Sequence, residues 1–157
     1  MSTIIRPAKF RDIPRVAKLC SGIFEASAFT EKFSFDEAAL KAALLDTIGS
    51  HASKPGSGLV LLSETDGELD GVFVGFVKQL YSCLDAYIAS NLIWYTTPEA
   101  KPKVAFDLLR AFEQWLERSD HPVLFRMGLS DAIQDPARMS KLLTRKGYRH
   151  SGHLFEK

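Results

Sequence analysis

The chain has 157 residues, of which 46% are hydrophobic and 25% charged, and its formal net charge is +1. This composition is typical of a single globular domain, spanning residues 1–157, that is large enough to bury a core. The near-neutral charge gives no electrostatic reason to expect nucleic acid or a membrane surface as a partner.

Signals for targeting, metal binding and serine nucleophiles are missing from the sequence. Residues 1–12 lack the apolar core of a secretory signal, and no apolar run approaches the ~20 residues that span a bilayer. Cys20 and Cys83 have no metal-ligand spacing, and no Gly-x-Ser-x-Gly elbow occurs. We therefore expect a protein of the reduced cytoplasm that binds no metal.

Two helices are predicted to follow a short first strand at residues 3–6. Asp12 is placed to cap the first helix, which has Pro14 in its first turn, where a missing N–H is harmless. Ser34 and Glu37 have the spacing of a capping box in front of the second helix. The apolar face of the first helix repeats at helical spacing and consists of Val16, Leu19, Cys20, Ile23 and Phe24.

Phe29 and Phe33 lie in the linker between these helices. Loop aromatics most often cover core, and we favour that interpretation because buried aromatic area is the commoner use. The alternative is that they wall a substrate groove.

A hairpin and a strand-to-helix junction are predicted in the middle of the chain. Two apolar strands, 59–63 and 71–79, flank a turn at Asp66-Gly67. A further strand is predicted to end near Tyr95, and a proline-containing loop leads from it to a helix over 103–118. Because helix N-termini present unpaired amides and a positive dipole end, this junction is a natural anion site.

The remaining elements complete a mixed sheet. A strand is predicted over 122–129, a helix from Pro136 to Gly147, and a last strand over 148–155. The order is then β-α-α-β-β-β-α-β-α-β. It predicts an α/β (α+β) fold with a mixed, mostly antiparallel central sheet and helices on both faces.

Four segments in this order resemble the GNAT superfamily of acyl-CoA-dependent N-acetyltransferases over nearly the whole chain. They are IIRPAKFRDIPRVAKL, ETDGELDGVFVGFV, LIWYTTPE and PARMSKLLTRKGYRHSGHLFEK. The resemblance implies a GNAT-like fold and acetyl-CoA as co-substrate. It also implies direct transfer of acetyl to a primary amine of a small molecule or protein.

The family's pyrophosphate-binding signature, Arg/Gln-x-x-Gly-x-Gly/Ala, corresponds to EAKPKVAFDLL in this chain. By that resemblance Lys101, Lys103, Val104 and Ala105 contact the cofactor, with Lys101 replacing the arginine and Lys103 the first glycine. Pro102 removes one amide donor, and a positive φ at position 103 would be unfavourable. We expect weakened or lost CoA binding, and the two lysines with the helix dipole favour the former.

The resemblance also implies contacts along the fourth strand. Backbone groups of Ile93, Trp94 and Tyr95 would pair with the pantetheine arm, although a tryptophan alone is more often core. The asparagine that contacts the cofactor in relatives corresponds best to Asp135. The acidic tyrosine of many relatives corresponds to Leu143.

The remaining candidates for chemistry are Asn91, Tyr95 and Ser130, with Tyr95 preferred as proton donor. Because the tyrosine and the loop glycines are missing, the alternative function is a catalytically degenerate GNAT-fold binding or regulatory module. A homodimer is possible. The apolar acceptor groove, if there is one, is predicted to use Phe24, Phe29, Phe33 and Tyr81.

Overall fold

The computed structural model describes residues 2–129, 135–153 and 155, which contain five strands and four α-helices. Two short 3₁₀ turns, Phe10–Asp12 and Ala28–Glu31, lie beside the first helix. The strands are β1 Thr3–Pro7, β2 Gly58–Thr65, β3 Glu68–Gln79, β4 Tyr87–Thr96 and β5 Val123–Arg126. The helices are α1 Ile13–Glu25, α2 Glu37–Gly49, α3 Val104–Leu116 and α4 Pro136–Arg145.

The strands form one sheet in the order β1-β2-β3-β4-β5. The first four are antiparallel to their neighbours, and β5 is parallel to β4. This parallel pair requires a crossover, which α3 supplies. The predicted mixed, mostly antiparallel sheet is confirmed.

The predicted last strand is wrong for the described residues of 148–155. Residues 148–153 and 155 have no strand conformation. Positions 149–153 read Arg-His-Ser-Gly-His and are exposed, so they offer no apolar face for the sheet to bury. Tyr148, by contrast, packs against the core, since its ring contacts Phe125 and its hydroxyl donates a hydrogen bond to Glu113.

Both faces of the sheet carry a core, as the two-sided apolar pattern of β3 predicts. Val72 and Val74 face α1 and α2, whereas Phe73 and Val77 face α3. Gly75 lies on the α3 face, where a Cβ atom would come within 2.3 Å of the Phe112 ring. That ring packs on Phe73 with their centroids 4.7 Å apart. The glycine is therefore required for the approach of α3.

Two predicted helix caps are corrected. Asp36 caps α2 by accepting a hydrogen bond from the Ala39 amide at 2.9 Å, so Ser34 is not the cap. An aspartate next to the first helical residue reaches the amide of the third helical position directly. Asp12 precedes α1, but its carboxylate accepts from the Lys9 amide and pairs with Arg6 instead.

Candidate functional site

The site is organised by a split between β4 and β5. The two strands pair only where Tyr87–Ser90 lies beside Val123–Arg126. Immediately beyond, the Gly128 amide donates to Asn91 Oδ1 at 2.8 Å, and Asn91 Nδ2 donates to the Gly128 carbonyl at 3.2 Å. A side chain thus occupies the place of the next backbone pair and ends the parallel ladder. The predicted strand over 122–129 is shortened for this reason.

A β-bulge at Leu92 turns β4 away from β5. On β3, Val74 pairs with Ile93 and Gly75 pairs with Asn91, which leaves Leu92 without a partner. An extra residue in one strand bends it and increases its twist. Leu92 is 68% exposed at the opening that results.

Beneath the split, on the side of α1 and α2, lies a cavity of about 330 Å³. Two of the predicted groove aromatics, Phe24 and Phe29, line it. The other two, Phe33 and Tyr81, do not line the cavity. Their side chains are 63% and 81% exposed to solvent. Phe33 therefore covers no core, contrary to our favoured interpretation. The described walls are completed by Cys20, Ile23, Ser27, Phe35, Leu40, Asn91, Leu92, Ile93, Trp94, Gly128 and Leu129.

The candidates for chemistry are not all brought together. Asn91 and Ile93 line the cavity, whereas Tyr95 lines a neighbouring surface groove that also contains Arg15. The two depressions share one wall residue, Ile23. Ser130 lies outside the described residues.

The N-terminus of α3 follows directly after β4 and carries the predicted pyrophosphate residues. The Val104 amide donates to the Lys101 carbonyl at 2.9 Å, and the Asp107 amide donates to the Lys103 carbonyl at 2.9 Å. Lys103 has a φ of −74°, so this position does not adopt the positive φ that would be unfavourable for a lysine. The amides of Lys103 and Ala105 take no part in the backbone hydrogen bonds that close the turn.

The side chain of Trp94 belongs to the core. It is 7% exposed, and its Nε1 donates to the Ala105 carbonyl at 2.9 Å. Its ring also contacts Phe73 and Phe106. Trp94 therefore ties the end of β4 to the start of α3, and only its backbone stays available for the predicted cofactor contact.

Charges of both signs lie near this junction, since Glu99 precedes α3 and Asp107 lies in its first turn. The exposed Lys103 lies at the helix start, and Lys146 Nζ lies 4.8 Å from the ring centroid of Phe106 on the first turn of α3. Asp135 caps α4 through the Ala137 amide, so its carboxylate has a structural partner. Its predicted contact with the cofactor stays a prediction.

Leu143, which by the resemblance corresponds to the acidic tyrosine, and Tyr148, five residues further along, both pack in the core on the α3 side. Leu143 is buried there. Burial, together with the carboxylate of Glu113 that accepts its hydrogen bond, raises the pKa of Tyr148 far above its ordinary value. Tyr148 therefore stays protonated and serves packing.

Within the described residues, no group of three or more His, Cys, Asp or Glu side chains could hold a metal ion. None of the helices in that part of the chain is long and apolar enough to cross a bilayer.

The comparison with solved structures identifies the fold. No family model and no curated protein matches the sequence. AAC(6')-Iy, solved with a bisubstrate CoA analogue, superposes with a TM-score of 0.75 over 100% of this chain and 97% of its own, at 11% identity. A ribosomal-protein-alanine N-acetyltransferase from Brucella melitensis covers 99% of both chains at 14% identity and a TM-score of 0.70.

A GNAT family acetyltransferase from Staphylococcus aureus gives a TM-score of 0.64 at 17% identity, covering 100% of this chain and 98% of its own. The mixed sheet, split at β4 and β5, is therefore the α/β fold that these solved structures share. More specifically, the chain has the GNAT fold, as its sequence segments predicted.

Proposed function

We propose that the protein is a GNAT-fold N-acetyltransferase that moves the acetyl group of acetyl-CoA to a primary amine by direct transfer. The observation that carries the proposal is the split at Asn91 and Gly128. A cavity lies beside it, and Trp94, three positions further along β4, is hydrogen-bonded to Ala105 in the first turn of α3. Superposition on acetyltransferases over the whole chain supports the same activity.

The described residues fit acetyl-CoA as co-substrate. The edge of β4 beyond Ser90 is not paired by β5, so Ile93–Tyr95 can offer backbone groups to an extended pantetheine arm. The start of α3 is exposed at Lys103. The amides that are not bonded within the first turn, together with the positive end of the helix dipole, would bind the pyrophosphate there. Lys103 and Lys101 add positive charge at the position where relatives use glycine and arginine.

In the proposed reaction, the amine nitrogen forms a bond to the thioester carbonyl carbon. The carbon–sulfur bond breaks, the amine loses one proton, and the thiol leaves with one proton. Asn91 sets the width of the split in which these atoms meet. Tyr95 is the proposed proton donor to the departing thiolate, and the proton that the amine loses restores it. Tyr95→Phe tests this role separately, and kcat should fall with little change in KM.

Calorimetry with acetyl-CoA tests the proposal directly. We expect saturable heat, and Lys103→Glu should weaken binding about tenfold because it places a like charge beside the phosphates. Lys54→Glu is the matched control, since Lys54 lies in a loop with Pro55, far from α3's first turn in the fold. Absence of heat at millimolar acetyl-CoA would refute the proposal. Binding without thiol release on any amine would instead support the degenerate binding module.

A further inference from the structure

The cavity below the Leu92 bulge is electrically neutral over its described walls. None of the side chains that line it there is Asp, Glu, Lys, Arg or His. Burial raises the pKa of the Cys20 thiol to about 11, so this group also stays uncharged. A cationic amine would therefore lose its hydration without gaining a counter-charge, which is strongly unfavourable.

The few polar groups of the cavity already have partners. Ser27 Oγ donates to the Phe24 carbonyl at 2.7 Å and accepts from the Phe29 amide at 3.3 Å. The amide of Asn91 is paired with Gly128 in both directions. What the cavity presents to a ligand is therefore mainly apolar surface.

The neighbouring groove does not supply the missing negative charge. It carries Arg15 and Lys18 against a single acid, Glu68. Arg15 itself is paired with Glu64 at 2.7 Å. With Arg15 paired to Glu64 and Lys18 accompanied by Glu68, the groove offers an approaching ammonium group no excess of negative charge, which a polyamine site needs.

Aromatic rings dominate one wall of the cavity. Phe24 and Phe35 pack with their centroids 5.5 Å apart, and Phe29 lies beside them at 40% exposure. A flat ring packs favourably against such side chains in offset or edge-to-face contacts. The volume of about 330 Å³ lies at the lower end of the range for small-molecule sites.

We propose that the acceptor is a small apolar amine that is uncharged at neutral pH, of the arylamine class, and that its ring occupies this cavity. The inference rests on the proposed acetyltransferase activity and names its substrate class. The nitrogen of an arylamine is uncharged because its lone pair is delocalised into the ring, so no ammonium proton has to be removed before attack. The nitrogen forms the amide bond as the carbon–sulfur bond breaks, and its N–H proton ends on the thiol sulfur.

Two isomeric amines test the charge requirement. p-Toluidine and benzylamine have the same atoms and a similar shape, but only benzylamine is protonated at pH 7. With the full-length protein and acetyl-CoA, kcat/KM for p-toluidine should exceed that for benzylamine by about tenfold or more at pH 7. The ratio should fall as the pH rises and benzylamine loses its proton. Equal or better use of benzylamine or spermidine at pH 7 would overturn the proposal.

A variant at the cavity mouth tests the location. Leu92→Glu places a carboxylate at the exposed bulge and should raise the benzylamine to p-toluidine ratio about tenfold. Leu92→Gln, of nearly the same size, should leave the ratio unchanged. If the benzylamine to p-toluidine ratio is the same in Leu92→Glu and Leu92→Gln, the acceptor does not bind in this cavity and the proposal is wrong.

Binding without the co-substrate separates this proposal from the proposed function. Ligand-observed NMR should detect p-toluidine on the free protein, with binding weakened by Phe35→Ala, and should detect benzylamine weakly or not at all at pH 7. Failure of acetyl-CoA to bind would refute the acetyltransferase activity. Acetyl-CoA binding together with a preference for benzylamine in the cavity would refute the arylamine class alone.

Discussion

Asn91 and Gly128 form a two-way hydrogen-bonded pair, 2.8 Å from the Gly128 amide to Oδ1 and 3.2 Å from Nδ2 to the Gly128 carbonyl. The pair lies at the first position where β4 and β5 no longer share a ladder. A side-chain amide has the same donor and acceptor as a peptide group, so it can close the sheet while the strands diverge.

Removing this pair should loosen the split. Asn91→Ala is expected to lower the free energy of unfolding by about 1–2 kcal/mol, because two hydrogen bonds are lost at a partly exposed site. Hydrogen exchange at the Gly128 amide is the specific measurement, and its protection should disappear. Asn91→Asp retains the acceptor and should keep this protection. Unchanged exchange in Asn91→Ala would show that the pair does not hold the strands.

The contact between Gly75 and Phe112 predicts a large effect from a single methyl group. In Gly75→Ala the new Cβ lies 2.3 Å from the Phe112 ring, which must then move off Phe73. We expect a loss of about 2–3 kcal/mol, as for other overpacked cores. Chemical denaturation measures it. Gly22→Ala in α1 is the matched control, since a Cβ there meets no atom within 4 Å, and it should stabilise by about 0.5–1 kcal/mol.

Asp12 predicts a pH dependence of stability. The hydrogen bonds from Arg6, together with the one from the Lys9 amide, lower the pKa of Asp12 from 3.8 to about 2. A carboxylate whose pKa is lowered by folding stabilises the protein above its unfolded pKa, and this stabilisation is lost as the pH falls through the folded value. Asp12→Asn should therefore destabilise by about 2 kcal/mol at pH 7.

Stability measured at low pH distinguishes the ion-pair explanation for Asp12 from a simple packing effect. The difference between wild type and Asp12→Asn should shrink below pH 4 and vanish only as the pH falls below the folded pKa of about 2, where the wild-type carboxyl is protonated as well. Urea unfolding at pH 7, 4 and 3 measures it. A difference that is independent of pH would contradict the ion-pair explanation.

The hydrogen bond from Trp94 to Ala105 predicts a local effect at the start of α3. Trp94→Phe removes the indole donor, whereas the Ala105 carbonyl remains an acceptor inside α3, so the free energy of unfolding should fall by about 0.5–1.5 kcal/mol, the net value of one hydrogen bond. Trp115→Phe is the control at equal burial, both indoles being 7% exposed. Amide exchange should rise at the first turn of α3 in Trp94→Phe and stay unchanged there in Trp115→Phe. Equal exchange in the two variants would contradict the assigned role.

The sequence by itself determined the elements whose signals are local. Helical apolar spacing located α1 and α3. The Asp66-Gly67 turn located the β2–β3 hairpin, and these two turn residues have positive φ values of 53° and 88°. The two-sided apolar pattern of β3 predicted a central strand. Such patterns depend on neighbours along the chain, so they survive folding unchanged.

The cap of α2 shows where local patterns compete. Ser34 and Asp36 are both good capping residues, and the backbone placed Asp36 at the cap. The described residues of 148–155 form no strand for a related reason, because an extended segment needs a paired edge and an apolar face as well as propensity.

Only the tertiary structure decided the site. A bulge at Leu92 has no sequence signal, since it arises from how β3 and β4 pair across the sheet. That one extra residue exposes Leu92, brings Asn91 to Gly128 and opens the cavity, while Tyr95 falls in the neighbouring groove. The described walls of the cavity come from α1, α2 and the segment between them, from β4 and from the residues after β5. Their neutrality is therefore a property of residues far apart in the chain that meet only on folding.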